Sequence, residues 1–341
     1  MTIDQPHDGQ PLAATVAAAD AGTPPAGTAA PPDTGAGQVA AVVWYHRLSA
    51  HVSWRRTLAA TIVIFTVWIG LRAVLEFAAA QLPGGQLPVL GPASGFAARL
   101  FGVAVCTPLV LAAAWGIERR PAGTVSSIAG RLRWSRLGWW LLVATGFQFL
   151  FVGVVVCTLL VYGLVVPSAV PTSPSGAAPQ TFGGEPGRDV LIGGLIIVAL
   201  LAAQTIAEEY QRGWLLQAVR VTRSPWQAIF AQVAVWALLH ADYSVHGAVA
   251  LVLVGVMLGW VTVHSGGLEA AIAWHLVTNI SGGVLWLLHS GLAAFGPDIG
   301  VADVDSWLWL PAMLVTVVGY AATVARKTAR DTTTPGPAAP G

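Results

Sequence analysis

Leu200-Leu201-Ala202-Ala203-Gln204-Thr205-Ile206-Ala207-Glu208-Glu209-Tyr210-Gln211-Arg212-Gly213 is an apolar run that ends in two carboxylates and a guanidinium. With the apolar residues before it, back to about Val190, it is long enough to cross a hydrocarbon core, which takes about 20 residues of helix. An ionisable side chain at membrane depth costs about 2.5–3.5 kcal/mol on insertion scales. A chain that keeps Glu208, Glu209 and Arg212 there is expected to use them.

Outward from that stretch the rest of the chain has the same character. Of 341 residues, 55% are hydrophobic and 10% charged. A soluble domain carries about 25% charged residues, so the composition is that of a polytopic membrane protein. The net charge of +1 implies no polyanionic partner, and no basic helix suits nucleic acid. Eight stretches have the length and apolarity of spans, or nearly so. They run at about Leu58–Ala80, Phe96–Ile117, Leu137–Val165, Val190–Ala207, Trp226–His240, Ala248–Val263, Leu268–Leu288 and Trp307–Val324. Backbone polar groups in lipid must be satisfied internally, so each is expected to be a helix. The expected fold class is all-α: a polytopic membrane bundle of about eight transmembrane helices over residues 42–330. Residues 1–41, rich in Ala, Pro and Gly, and residues 331–341 are expected to be disordered tails. The first tail lacks the apolar core of a signal peptide. Cys106 and Cys157 fall in spans, read as buried free thiols, and lack metal-ligand spacing.

Basic residues mark alternate connections. Arg47, Arg55 and Arg56 precede the first span, and Arg119 to Arg136 contribute five arginines between the second and third. Arg212, Arg220 and Arg223 lie between the fourth and fifth, and Arg326, Lys327 and Arg330 follow the eighth. The other connections hold Arg188 and the acidic Asp298, Asp303 and Asp305. Positive charge stays cytoplasmic. This predicts a multi-pass protein of the cell (plasma) membrane with both termini in the cytoplasm. Gly213 to Arg220 reads as an amphipathic continuation at the interface, and Ser224-Pro225 as the start of the fifth helix.

Two further apolar runs carry chemistry. Trp236-Ala237-Leu238-Leu239-His240 ends the fifth span, and His275-Leu276-Val277-Thr278-Asn279 lies in the seventh. His275 and Asn279 are four apart and share a helix face. Either Glu208 or Glu209 can reach Arg212, at spacings of four and three. Taken singly, each element has an ordinary reading: an ion pair that ends a span, a packing histidine, interhelical glue. Together they offer a carboxylate base, two imidazoles and an amide, a set that can hydrolyse a peptide bond. His246, His264 and His289 sit at span ends and read as interfacial. Glu76 has Arg72 four residues before it, and Glu269 suits the positive end of the seventh helix. Gly91 to Gly95 reads as a turn. There is no His-Glu-x-x-His helix for zinc.

The three segments resemble the motifs of the CPBP (CAAX protease and bacteriocin-processing) family of intramembrane proteases. That family has a Glu-Glu-x-x-x-Arg helix, a Phe-x-x-x-His helix and a His-x-x-x-Asn/Asp helix. Glu208-Glu209 with Arg212, Trp236 with His240, and His275 with Asn279 stand at those places. The resemblance covers about Val190 to Leu288, within a catalytic core placed at 189–289. Trp236 replaces phenylalanine, and one residue is missing between Glu209 and Arg212. If the arginine sets the register, Glu208 moves to the second glutamate position; if the glutamates set it, Arg212 has moved. The long helix before Glu208 favours the second.

The resemblance implies an intramembrane endopeptidase, labelled a metalloprotease in that family, acting on a membrane-associated protein or peptide. Glu208 would activate water, and Glu209 and Arg212 would set its ionisation and position. His240 and His275 would either hold a divalent metal, zinc among them, or stabilise the oxyanion, with Asn279 orienting or sharing that role. The alternative is a non-catalytic protein of the same fold that binds peptides or membrane proteins in immunity or assembly. The sequence leaves the substrate and the oligomeric state open.

Overall fold

The computed structural model describes residues 44–82, 84, 86–165, 186–219, 224–240, 245–290 and 306–333. Among them all regular structure is helical and no strand forms. The helices are α1 (Trp54–Ala80), α2 (Ser94–Ala104), α3 (Cys106–Gly116), α4 (Trp134–Val165), α5 (Pro186–Ala218), α6 (Pro225–Leu239), α7 (Val245–Ser265), α8 (Glu269–Ser290) and α9 (Leu310–Thr333). Every one of the eight apolar stretches is therefore helical. The second is broken at Val105. Pro108 lacks an N–H and its ring crowds the carbonyl four residues back, at Ala104, where α2 ends. The 1–41 tail lies outside the described residues. At the other end, α9 runs on to Thr333, so residues 331–333 are helical instead of belonging to a tail.

Six segments are long and apolar enough to cross a membrane, with α2 and α3 counted together; α6 is a shorter apolar helix. Their outer faces carry large exposed hydrophobes such as Phe77, Leu142, Phe149 and Leu160. Water would penalise such a surface and lipid would not. Cys157 is on that exposed face, so of the two free thiols only Cys106 is buried.

Helices α5 and α8 form the middle of the bundle. Helix α5 packs on α2, α3, α6 and α8, while α4 packs on α8 and α9, and α7 on α6 and α9. Lipid supplies no hydrophobic drive for helix association, so close backbone approach matters. On α7, Gly255 and Gly259 form a Gly-x-x-x-Gly face against α6. A Cβ at Gly255 would meet Val233 Cγ2 at 3.1 Å, and one at Gly259 would meet Gln232 Nε2 at 2.8 Å. That contact lets Gln232 Nε2 donate to the Gly255 carbonyl at 2.9 Å.

One expectation fails usefully. Helix α5 does not become interfacial after Ala207; Tyr210 to Gln217 is buried. The segment before α1 and the 118–127 connection cover it. Ser49 Oγ donates to the Gln217 carbonyl at 2.6 Å, Gln217 Nε2 to the Thr124 carbonyl at 2.9 Å, and Trp214 Nε1 to Thr61 Oγ1 at 3.1 Å. The same end of the bundle collects the basic connections. Arg120 pairs with Glu118 at 2.5 Å, and Arg133 with Glu269 at 2.6 Å, so Glu269 is a structural clamp at the start of α8. Arg72 and Glu76 pair at 2.9 Å, and Ser94 Oγ closes the Gly91 turn at 2.6 Å.

Candidate active site

Helices α5 and α6 run antiparallel, so level is set by distance from their shared end. Glu208 stands ten residues before the last residue of α5, Ala218, and Trp236 eleven after the first of α6, Pro225. At about 1.5 Å per residue both lie roughly 15 Å from that end. The extension of α5 is thus what brings the two motifs to one depth. Pro225 at the first position of α6, after Ser224, fixes where its count begins.

At that depth the two glutamates part company. Neighbours on a helix point about 100° apart. Glu209 is 1% exposed and turned inward, where its Oε1 accepts from Arg212 NH1 at 3.1 Å and from His275 Nδ1 at 2.7 Å. Arg212, 2% exposed, also donates from Nε to Gln232 Oε1 at 3.1 Å and from NH2 to the Gly255 carbonyl at 3.2 Å. Its guanidinium lies 4.4 Å from the centre of the Trp236 ring. This buried charge therefore has a partner on each of its three nitrogens and an aromatic face.

Glu208 instead borders a cavity of about 570 Å³ walled by α4 to α9. Gln148, Gln204, Glu208, His240, His275 and Asn279 supply most of its polar wall; the remainder is mainly aliphatic and aromatic. Trp236 Nε1 donates to Glu208 Oε2 at 3.1 Å, and Gln204 Nε2 donates to its Oε1. His275 Nε2 is 3.7 Å from Glu208 Oε2. Since Nδ1 of His275 faces a carboxylate, it carries the hydrogen, and Nε2 is the nitrogen that meets the cavity. His240 caps α6, its Nδ1 2.9 Å from the Trp236 carbonyl and its ring 4.7 Å from the Trp236 ring. Asn279 Nδ2 donates to Thr205 Oγ1 at 2.9 Å.

The six residues picked from sequence thus gather around one cavity, with Glu209 and Arg212 behind its wall. Residues 191–281 match the model of type II CAAX prenyl endopeptidases of the Rce1-like kind. Over that segment, which carries all three motif helices, the chain is similar to the CAAX protease family. No curated protein and no solved structure matches the chain. That likeness, with the long apolar helices around it, supports a CAAX-type intramembrane protease kind of function.

The donor set does not fit a resident metal. Among the described residues no group of three or more His, Cys, Asp and Glu side chains is arranged to hold one. Both histidines hold Nδ1 against a partner, an orientation that leaves Nε2 as the nitrogen free to act and does not by itself decide for or against a metal.

Several participants escaped the sequence reading. Gln204 stands four residues before Glu208, on the same face, and Gln232 four before Trp236; that spacing was the available signal. Trp236, noted from sequence only as the replacement for a phenylalanine, holds Glu208 with its indole N–H. Gln148, on α4, lies outside the matched segment and had no signal at all. His264 stacks on Trp260 at 3.7 Å, away from this cavity; the side chains of His246 and His289 lie outside the described residues.

Proposed function

We propose that the protein is an intramembrane endopeptidase in which Glu208 activates a water held between its Oε2 and His275 Nε2. The observation that carries this reading is the division of labour between adjacent carboxylates: Glu209 is buried and paired with Arg212 and His275, while Glu208 meets the cavity. A separation of 3.7 Å exceeds a direct hydrogen bond. It suits a water oxygen about 2.8 Å from each atom.

In the proposed reaction Glu208 takes a proton from that water, and the oxygen attacks the scissile carbonyl carbon. The C–O bond forms and charge collects on the carbonyl oxygen. His240, His275 and Asn279 border the space where that oxyanion develops; Asn279 has an amide hydrogen beyond the one given to Thr205 and donates it, and a histidine joins as donor once its Nε2 is protonated. On collapse the C–N bond breaks, and the proton on Glu208 passes to the leaving amine. Glu209 holds His275 in one tautomer, and Arg212 holds Glu209; both are positioning residues in this reading. No step is routed through a metal.

The substrate is a membrane-associated protein or peptide that enters the apolar cavity from the bilayer. The protein sits in the cell membrane with its basic end and both termini in the cytoplasm, as the alternation of arginines indicates. The test is hydrolysis of a prenylated peptide ending in a Cys-aliphatic-aliphatic-X sequence by purified protein in vesicles. Glu208→Gln should lower kcat by at least about a hundredfold without changing thermal stability. Equal turnover by wild type and Glu208→Gln would end this reading. If both also support the same host phenotype, the non-catalytic binding role takes its place.

A further inference from the structure

We infer that the basic end of the bundle holds a headgroup site for an anionic glycerophospholipid, in a cavity between α4, α7 and α9. The cavity has a volume of about 360 Å³ and is lined by Arg136, Trp139, Ser265, Lys327, Thr328 and Asp331, among others. Nothing in the protease chemistry uses it.

The charges in this cavity are arranged unlike those elsewhere in the molecule. Arg120 and Arg133 close onto Glu118 and Glu269, whose side chains are 1% and 0% exposed. Arg136 and Lys327 share a single carboxylate, Asp331, at 3.5 and 2.6 Å, and are 40% and 44% exposed. Two cations on one anion leave a net positive site. Exposed pairs of this kind contribute little to stability, so an incoming phosphate can displace them. The Arg136 contact is a single long one and leaves most of the guanidinium's donors for a phosphate oxygen.

The location selects a lipid over a small anion. Helix α4 is a candidate span that begins at Trp134, so Arg136 stands at the level where hydrocarbon gives way to headgroups. Trp139, 51% exposed, is a residue type that favours this interface, and Leu142 beyond it is 71% exposed, offering an apolar wall for acyl chains. The N-terminal end of α4 adds its positive dipole potential at the same level. Basic pockets between spans on the cytoplasmic side recognise phospholipid headgroups by this combination. The site would also tie α9 to α4, two elements that wall the catalytic cavity.

The experiment is native mass spectrometry of the full chain in neutral detergent, titrated with phosphatidylglycerol or phosphatidylcholine. Wild type should retain phosphatidylglycerol about tenfold more tightly than phosphatidylcholine. The double change Arg136→Gln with Lys327→Gln should abolish that preference. A charge-matched control, Arg55→Gln with Arg326→Gln, should keep it. Asp331→Asn frees both cations and should strengthen binding, a sign that a merely structural ion cluster would not give. Equal retention of the two lipids by wild type, or an undiminished preference in the Arg136/Lys327 double variant, overturns the site. Glycerol phosphate binding as tightly as the intact lipid would make it a small-anion site and overturns the lipid assignment.

Discussion

The buried pair of Arg212 and Glu209 makes the sharpest quantitative demand. Replacing Arg212 by methionine keeps an unbranched stem and removes the cation. Glu209, 1% exposed, would keep only His275 Nδ1, and Gln232 Oε1 would lose its donor. Removing one member of a buried pair costs about 3–5 kcal/mol, because the remaining charge is uncompensated. Glu209→Gln should cost a similar amount by stranding the guanidinium. Removing both charges together is far cheaper, about 2 kcal/mol or less, since no lone charge stays behind. With singles near ~3 kcal/mol each and a double near ~2, the coupling energy should be about 4 kcal/mol. The assay is denaturation by sodium dodecyl sulfate in mixed micelles, followed by far-UV circular dichroism, on wild type, both singles and the double. A double variant as unstable as the two singles added would mean that these groups do not sense each other. The account of Glu209 as the charge-paired carboxylate would then be wrong.

Three other outcomes follow from the geometry. Trp236→Phe keeps the ring between Arg212 and His240 but deletes the indole N–H that reaches Glu208. A hydrogen bond to a charged group contributes about 1.5–3 kcal/mol, so kcat/KM on the prenylated peptide should fall about tenfold or more; an unchanged value would remove Trp236 from the site. Protein stripped of divalent metal by a chelator should retain its turnover within about twofold, as expected of chemistry with no metal step; loss of activity restored by one added metal would instead return His240 and His275 to the role of ligands. His46, in the turn before α1, is 1% exposed, and neither ring nitrogen has a partner. Burial first, and the neighbouring Arg47 second, push its pKa from 6.5 down to about 4. The unfolded chain then binds the proton before the folded one does, so stability should fall as pH drops from about 6.5 to about 4 and level off below that. His46→Leu should flatten the fall, measured as thermal midpoint against pH.

Legibility followed the kind of physics involved. The eight helical stretches could be read because bilayer thickness imposes a length and lipid imposes helix. Ser224-Pro225 announced the start of α6 through proline's fixed φ and missing N–H. The extent of α5 could not be read. Gly213 to Gln217 has the composition of an interfacial segment and is buried only because Ser49, Thr61 and Thr124, all more than ninety positions away in sequence, bond to it. With α5 extended, Glu208 and Trp236 come to one level, about 15 Å from the shared end of α5 and α6. Local pattern shows which residues are able to meet. Long-range packing decides at what height they do.

The shortened first motif is the place where that distinction matters most. An arginine four residues after Glu209 would lie about 40° around the helix from it, and one three residues after about 60° the other way. Both remain on the inward face, so losing one residue moves the guanidinium across Glu209 without turning it out of reach. Position 213 has no room for it in any case. A Cβ there would come within 2.5 Å of the Tyr45 hydroxyl and 2.9 Å of Leu268 Cδ2. Glycine at 213 lets α5 close against the segment before α1 and the start of α8, and the cation serves from 212. There it finds Gln232 and the Gly255 carbonyl, which the close approach of α6 and α7 places beside it. On the reading in which the glutamates keep their register, the packing around Gly213 leaves position 212 as the place for the arginine.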